Sequence, residues 1–175
     1  MTTNQQKTDE TSKAPDEDDL EHAPFAFDTD FNVEDEFKTP PLIPNGKYEG
    51  NVTEVKFDPA SSSLVWQVVL IADSDTLMSD NETPVNGSLV FYRNWLPKSG
   101  DENIRTKNGK STKRQAKINM LQEFQKKMRI NMNTPDAIVD GVGNGEWIGL
   151  NVVVLVEVRE WEGRLSNQVK DMSAS

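Results

Sequence analysis

The chain has 175 residues, 35% of them hydrophobic and four of them Trp, enough for one modest core and too little for a second independent one. It contains no cysteine, which excludes a disulfide framework and thiolate zinc sites and fits a reducing compartment. A net charge of -10 argues against a phosphate-bearing partner until its distribution is read.

Residues 1 to 40 hold 12 acids against Lys7, Lys13 and Lys38, a net of -9, so the rest of the chain carries only -1. The first 22 or so residues cluster acids at Asp16 to Asp19 and offer almost nothing to bury, which predicts disorder. There is no basic-then-apolar leader, and no run approaches the roughly 18 apolar residues of a membrane span. A soluble, unexported, cytoplasmic protein is expected, with no membrane partner. Between Phe25 and Phe37 the tail changes character: Phe25, Phe27, Phe31, Val33 and Phe37 alternate with Asp28, Asp30, Glu34, Asp35 and Glu36, the pattern of a segment that docks on a partner or on the protein itself. Pro40, Pro41 and Pro44 then form a stiff link. Residues 1–44 read as a disordered acidic tail with a Pro-rich linker, and 45–175 as the folded domain.

Lys47 to Phe57 alternates at period two and shifts phase between Val52 and Val55, as a strand with a bulge does. Ser63 to Ala72 is almost continuously apolar and is expected to be a central strand buried on both faces. Ser88 to Leu96 reads as a third strand stopped by Pro97, and the polar, basic stretch from Lys98 to Ser111 as a long exposed loop. Thr112 to Ile130 places Ala116, Met120, Leu121, Phe124 and Met128 on one face of an amphipathic helix, capped by Ser111 or Thr112. The glycines at 141, 143 and 145 read as a turn. Trp147 to Glu160 carries Leu150, Val152, Val154, Val156 and Val158 on one face of a fourth strand, and Trp161-Glu162-Gly163 turns tightly into a fifth strand, Arg164 to Met172.

Three strands, a helix and a closing hairpin form the element order of a mainly β, five-stranded OB-like barrel with one amphipathic helix between strands 3 and 4; an α+β sheet packed on one helix gives the same string. Particular residues add a resemblance. Phe27-Asp28 through Phe37 running into Pro44-Asn45-Gly46-Lys47-Tyr48, then Trp147-Ile148-Gly149, Glu162-Gly163-Arg164 and Asn167-Gln168-Val169, resemble the OB-fold single-stranded-DNA-binding-like proteins encoded by bacteriophages and prophages. The resemblance spans residues 25 to 173 and departs at the long basic loop before the helix. It implies a phage origin, residence in the host cytoplasm and a part in DNA replication or recombination.

Residues 93–129 hold 11 bases against Asp101, Glu102 and Glu123, a net of +8 inside an acidic protein. Non-specific binders of single strands pair such a positive groove with aromatic platforms, each stacked base contributing about 1–3 kcal/mol. On OB geometry the expected face carries Trp66, Tyr92, Arg93 and Trp95; Lys98, Arg105, Lys107, Lys110, Lys113 and Arg114 form a basic arm, and Arg159, Trp161 and Arg164 sit by the last hairpin. Trp66, Trp95 and Trp147 fit a barrel core equally well, and Trp161 at a turn is the best exposed candidate.

Catalytic motifs are lacking. Asn108-Gly109-Lys110-Ser111 resembles the end of a phosphate loop but has Ile104 where that motif needs glycine. Asp73-Ser74-Asp75 opens like a calcium loop, yet Leu77 and Met78 fall where oxygen ligands or glycine are required. His22, the one histidine, lies in the tail. The expectation is a non-enzymatic accessory protein that binds single-stranded DNA, or RNA, without cofactor or metal. Its tail segment of Phe25, Phe27, Asp28, Phe31, Glu34, Asp35, Glu36 and Phe37 would recruit replication or recombination proteins or compete with nucleic acid. Homo-oligomerisation is left open, and the alternative is a protein-interaction and assembly module built on that tail and the basic segment.

Overall fold

Period-two alternation of apolar and polar residues builds five strands: Gly46–Asp58 (β1), Ser63–Ile71 (β2), Leu89–Trp95 (β3), Asn151–Trp161 (β4) and Arg164–Ala174 (β5). The computed structural model describes residues 32–175, of which 32–39 belong to one unit and Pro40–Ser175 to a second. In the first unit Val33–Glu36 forms one helical turn (α1), opened by the Asn32 side chain, which accepts a hydrogen bond from the Glu34 N–H at 3.0 Å.

In the second unit all strand pairs are antiparallel and the order is β3-β2-β1-β4-β5 in one sheet. The two edge strands, β3 and β5, approach each other across the curled sheet without a ladder between them, so the sheet is unclosed. The phase change in β1 is a bulge. Val52 faces Val68 while Glu54 faces Gln67, and the extra residue, Thr53, exchanges hydrogen bonds with Gln67. The bulge returns Val55 to the inner face beside Val52. β2 departs from expectation: Leu64, Trp66, Val68 and Leu70 are fully buried, whereas Val65, Gln67 and Val69 are only partly covered, because no second layer packs on that side.

The chain between β3 and β4 forms two α-helices where the sequence predicts one. Lys113–Met128 (α2) is capped by Thr112, whose hydroxyl accepts the Gln115 N–H at 3.2 Å. It buries Phe124 and Met128, but Met120, expected on the apolar face, is 57% exposed. Pro135–Gly143 (α3) takes up Gly141 and Gly143 of the expected glycine turn, and Gly145 lies in the turn that follows it. Thr134 caps it, Pro135 fills its first turn, and Gly141 is there for close packing: a Cβ on it would stand 2.4 Å from the Trp147 ring. Trp147 precedes β4 instead of opening it, and stacks on Trp66 with ring centroids 5.2 Å apart.

The Pro-rich segment belongs to the second unit. Ile43 is buried, and the Asn167 side chain imitates a neighbouring strand, accepting the Ile43 N–H at 2.8 Å and donating to the Ile43 carbonyl at 2.7 Å. Leu42 exchanges hydrogen bonds with Ser79.

The segment from Lys98 to Ser111 is not wholly exposed. It opens with a 3-10 helix, Asp101–Asn103, and Asp101 is completely buried. Its Oδ2 accepts from Lys117 Nζ at 2.7 Å and from the Lys98 N–H at 3.0 Å, while Lys117 also donates to the Leu96 carbonyl at 2.9 Å. Oδ1 has no hydrogen bond, with Lys113 Nζ 4.0 Å away. Lys117 holds the Asp101 carboxyl below the usual carboxylate range. Stability from this pair is therefore complete above about pH 4 and fades as pH falls through the lowered folded value. Asp101→Ala is expected to lower Tm and to speed trypsin cleavage at Arg105 and Lys107. Cleavage at the wild-type rate would refute the anchoring.

Candidate nucleic-acid interface

Register divides β3 into two rows. Leu89, Phe91, Arg93 and Trp95 point outward over Val69, Gln67, Val65 and Ser63 of β2, while Val90, Tyr92 and Asn94 point toward the core. Phe91 is 54% exposed and Trp95 44%, and a rise of four positions along the strand separates them by about 13 Å. Between them Arg93 places its guanidinium 5.6 Å from the centroid of the Trp95 ring. The same guanidinium donates to Asp58 Oδ2 and Ser61 Oγ, both at 2.6 Å, and to Ser63 Oγ at 2.7 Å. The Ser61 hydroxyl first and Arg93 second hold the Asp58 carboxyl down to about 2. Arg93 thus ties the outward row to the β1–β2 turn and steadies the Trp95 ring, at the cost of part of its own charge. Gln67 and Lys56 share this face.

Trp66 does not belong to it. Its side chain is fully buried, stacked on Trp147 and edge-on to Phe124, and its indole N–H donates to Asn94 Oδ1 at 2.7 Å. Trp66 is a core residue and has no surface for a base. Tyr92 also points away from the outward row, stacking on Phe124 at 5.3 Å. Burial, and then the Asp171 carboxylate, raise its phenol above the ordinary value, while Lys127 lies across Asp171 at 2.8 Å. Phe91 is the aromatic that sequence reasoning missed. The signal was present, because Phe91 shares the parity of Arg93 and Trp95, and Tyr92 does not.

At the end of β3 the row runs into a groove of about 430 Å³ in which Trp95, Lys98, Lys113 and Ser61 meet Met120 and the stem of Lys117. Arg105, Lys107 and Lys110 are exposed in the loop that follows the 3-10 helix, closed by a bridge between Arg105 and Thr112. Arg114 turns to a different groove, of about 400 Å³, between α2 and α3, where Phe57, Ile118 and Val139 are exposed.

The β4–β5 hairpin carries the remaining candidates. Trp161 pairs with Arg164 and Arg159 with Ser166, so Arg159, Trp161 and Arg164 share one face of the ribbon. The turn residues Glu162 and Gly163 have φ of 51° and 77°, the left-handed pair that a two-residue hairpin requires. Trp161 is 74% exposed. The ribbon extends past the start of β1, where Gly46 pairs with Val156, whereas Trp95 lies near the end of β1, beside Ser63 and Asp58. The candidates therefore form two clusters at opposite ends of β1: Phe91, Arg93, Trp95, Lys98 and Lys113 at one, and Arg159, Trp161 and Arg164 at the other.

Of the tail residues, Phe25, Phe27, Asp28 and Phe31 lie outside the described residues. Glu34 and Phe37 are exposed, and Asp35 and Glu36 belong to α1. Among the described residues no three His, Cys, Asp or Glu side chains group to hold a metal ion, and no helix is long and apolar enough to cross a membrane. No protein-family model matches the chain, and no curated protein matches it.

Proposed function

We propose that the protein binds single-stranded DNA without regard to sequence, stacking bases on Phe91 and Trp95 and drawing the phosphate backbone toward Lys98 and Lys113. The observation that carries this reading is the pair of exposed aromatics on one outward strand face, running into a groove rimmed by two lysines. Aromatic platforms beside cationic side chains are what sequence-tolerant strand binding requires. An OB-type barrel is the fold we infer, with β3 and β5 as its closing pair. The curled five-stranded sheet, the helix after the third strand, and a β1–β2 turn and β4–β5 hairpin at the two ends of β1 support it. On that fold the ribbon residues Arg159, Trp161 and Arg164 extend the path of the strand. A phage accessory role in replication or recombination remains the context in which we place it.

Titration of the full-length protein with oligo-dT, followed by Trp quenching at several salt concentrations, tests the reading. Binding that weakens steeply with salt is expected, and no retention of single strands at about 50 mM salt overturns it. The rival reading, a protein-interaction module, draws on the exposed apolar residues of the α2–α3 groove and predicts that same absence of binding.

The net charge of -9 on residues 1–39 opposes any phosphate backbone at long range. Deleting residues 1–39 is expected to tighten oligo-dT binding several-fold at low ionic strength and to leave it unchanged once the Debye length falls to about 3 Å at 1 M salt. Equal affinities of the two proteins at low salt would remove any electrostatic part for the tail.

A further inference from the structure

Three ammonium groups surround the groove at the end of β3: Lys98 and Lys113 on its exposed rim, and Lys117 in its wall. Among the described residues Asp101 is the one carboxylate that pairs with any of them, at 2.7 Å from Lys117 and 4.0 Å from Lys113. The groove therefore holds a surplus of two positive charges. An internal phosphodiester brings one negative charge, whereas a terminal phosphomonoester brings about -1.5 to -2 at neutral pH. The charge of the groove matches the monoester.

Shape and position agree with this. The groove, about 430 Å³, falls within the size range of sites for single small molecules, roughly 300–1,000 Å³. Trp95 supplies one partly exposed aromatic wall, while the Ser61 hydroxyl beside it is already engaged by Asp58 and Arg93. Trp95 is also the last residue of β3, and Lys113, Ala116 and Met120 of the first turns of α2 stand across the groove from it. A strand lying along Phe91 and Trp95 meets the helix there. We infer that this groove takes the terminal nucleotide of a single strand, with its base on Trp95 and its phosphomonoester between Lys98 and Lys113. The inference rests on the single-strand reading above and sharpens it to recognition of a strand end.

The test is a titration of the full-length protein with three oligo-dT strands of one length, bearing a 5′ phosphate, a 3′ phosphate, or hydroxyls at both ends. One phosphorylated strand is expected to bind about tenfold tighter than the hydroxyl-ended strand, a gain of about 1.4 kcal/mol. In the Lys98→Ala/Lys113→Ala protein that ratio is expected to fall to one, and a ratio that persists overturns the assignment of the lysines. Equal affinity of the wild-type protein for all three strands overturns the inference and leaves single-strand binding standing. Absence of binding to any strand removes both. Thymidine monophosphate as competitor separates a strand end from a free nucleotide. Displacement of the phosphorylated strand is expected only at a large excess of the nucleotide, and displacement at equal concentration overturns the strand-end assignment.

Discussion

Trp66→Ala is expected to cost about 3–5 kcal/mol of folding stability, the range for removing a large buried aromatic. The side chain is wholly buried, and two aromatic neighbours, Trp147 and Phe124, pack on it at centroid distances of 5.2 Å. Its loss also leaves the Asn94 Oδ1 acceptor buried without its donor, a further penalty of about 1–3 kcal/mol where water cannot enter. Against a typical domain stability of about 5–15 kcal/mol, the variant keeps little reserve. Urea denaturation of the full-length protein measures the effect. Trp66→Phe keeps much of the packing while still stranding Asn94, so it should fall between wild type and alanine. A loss under about 1 kcal/mol for the alanine variant would mean that the ring does not hold the core together.

Phe91→Ala combined with Trp95→Ala is expected to weaken oligo-dT binding by at least about 30-fold, given about 1–3 kcal/mol for each stacked base. Both rings stand on the outward face, so stability in urea should change by less than about 1 kcal/mol. Neither substitution removes a cation. The dependence of affinity on salt should therefore keep its slope while the whole line drops, a signature that separates lost stacking from lost phosphate contacts. If affinity is unchanged, bases do not stack on this face, and the site must be sought on the Trp161 ribbon.

Much of the sheet was legible because a strand exposes its own period. Leu64, Trp66, Val68 and Leu70 share one parity and Gln67 marks the other, but a nearly continuous apolar run read as buried on both faces hid that parity and left Trp66 among the candidates for the binding face. β3 is harder to read, since Arg93 and Asn94 place polar residues on both parities; only the bond from Trp66 explains why Asn94 is the buried one. The bulge in β1 was visible as a change of phase, and the last turn as Glu162-Gly163. α3 was hidden because glycine usually marks a turn, and its reason at position 141 is the ring of Trp147, six residues on. Asp101 was hidden for a related reason. A carboxylate in a polar loop looks solvated until Lys117, 16 residues later and on another element, is known to meet it. Periodicity reports which side of an element faces the core, and it is silent about partners that only tertiary packing supplies.

The bonds from Asn167 to Ile43 have a mechanical side. A pull applied through the residues before Pro40 meets the paired hydrogen bonds of Ile43 with Asn167, and of Leu42 with Ser79, before it reaches the ladders of β1. Tension applied through the acidic segment is thus taken first at a clip held by Ser79 and by Asn167 of β5, which stands beside Leu89 and Phe91 of the outward row across a shared groove.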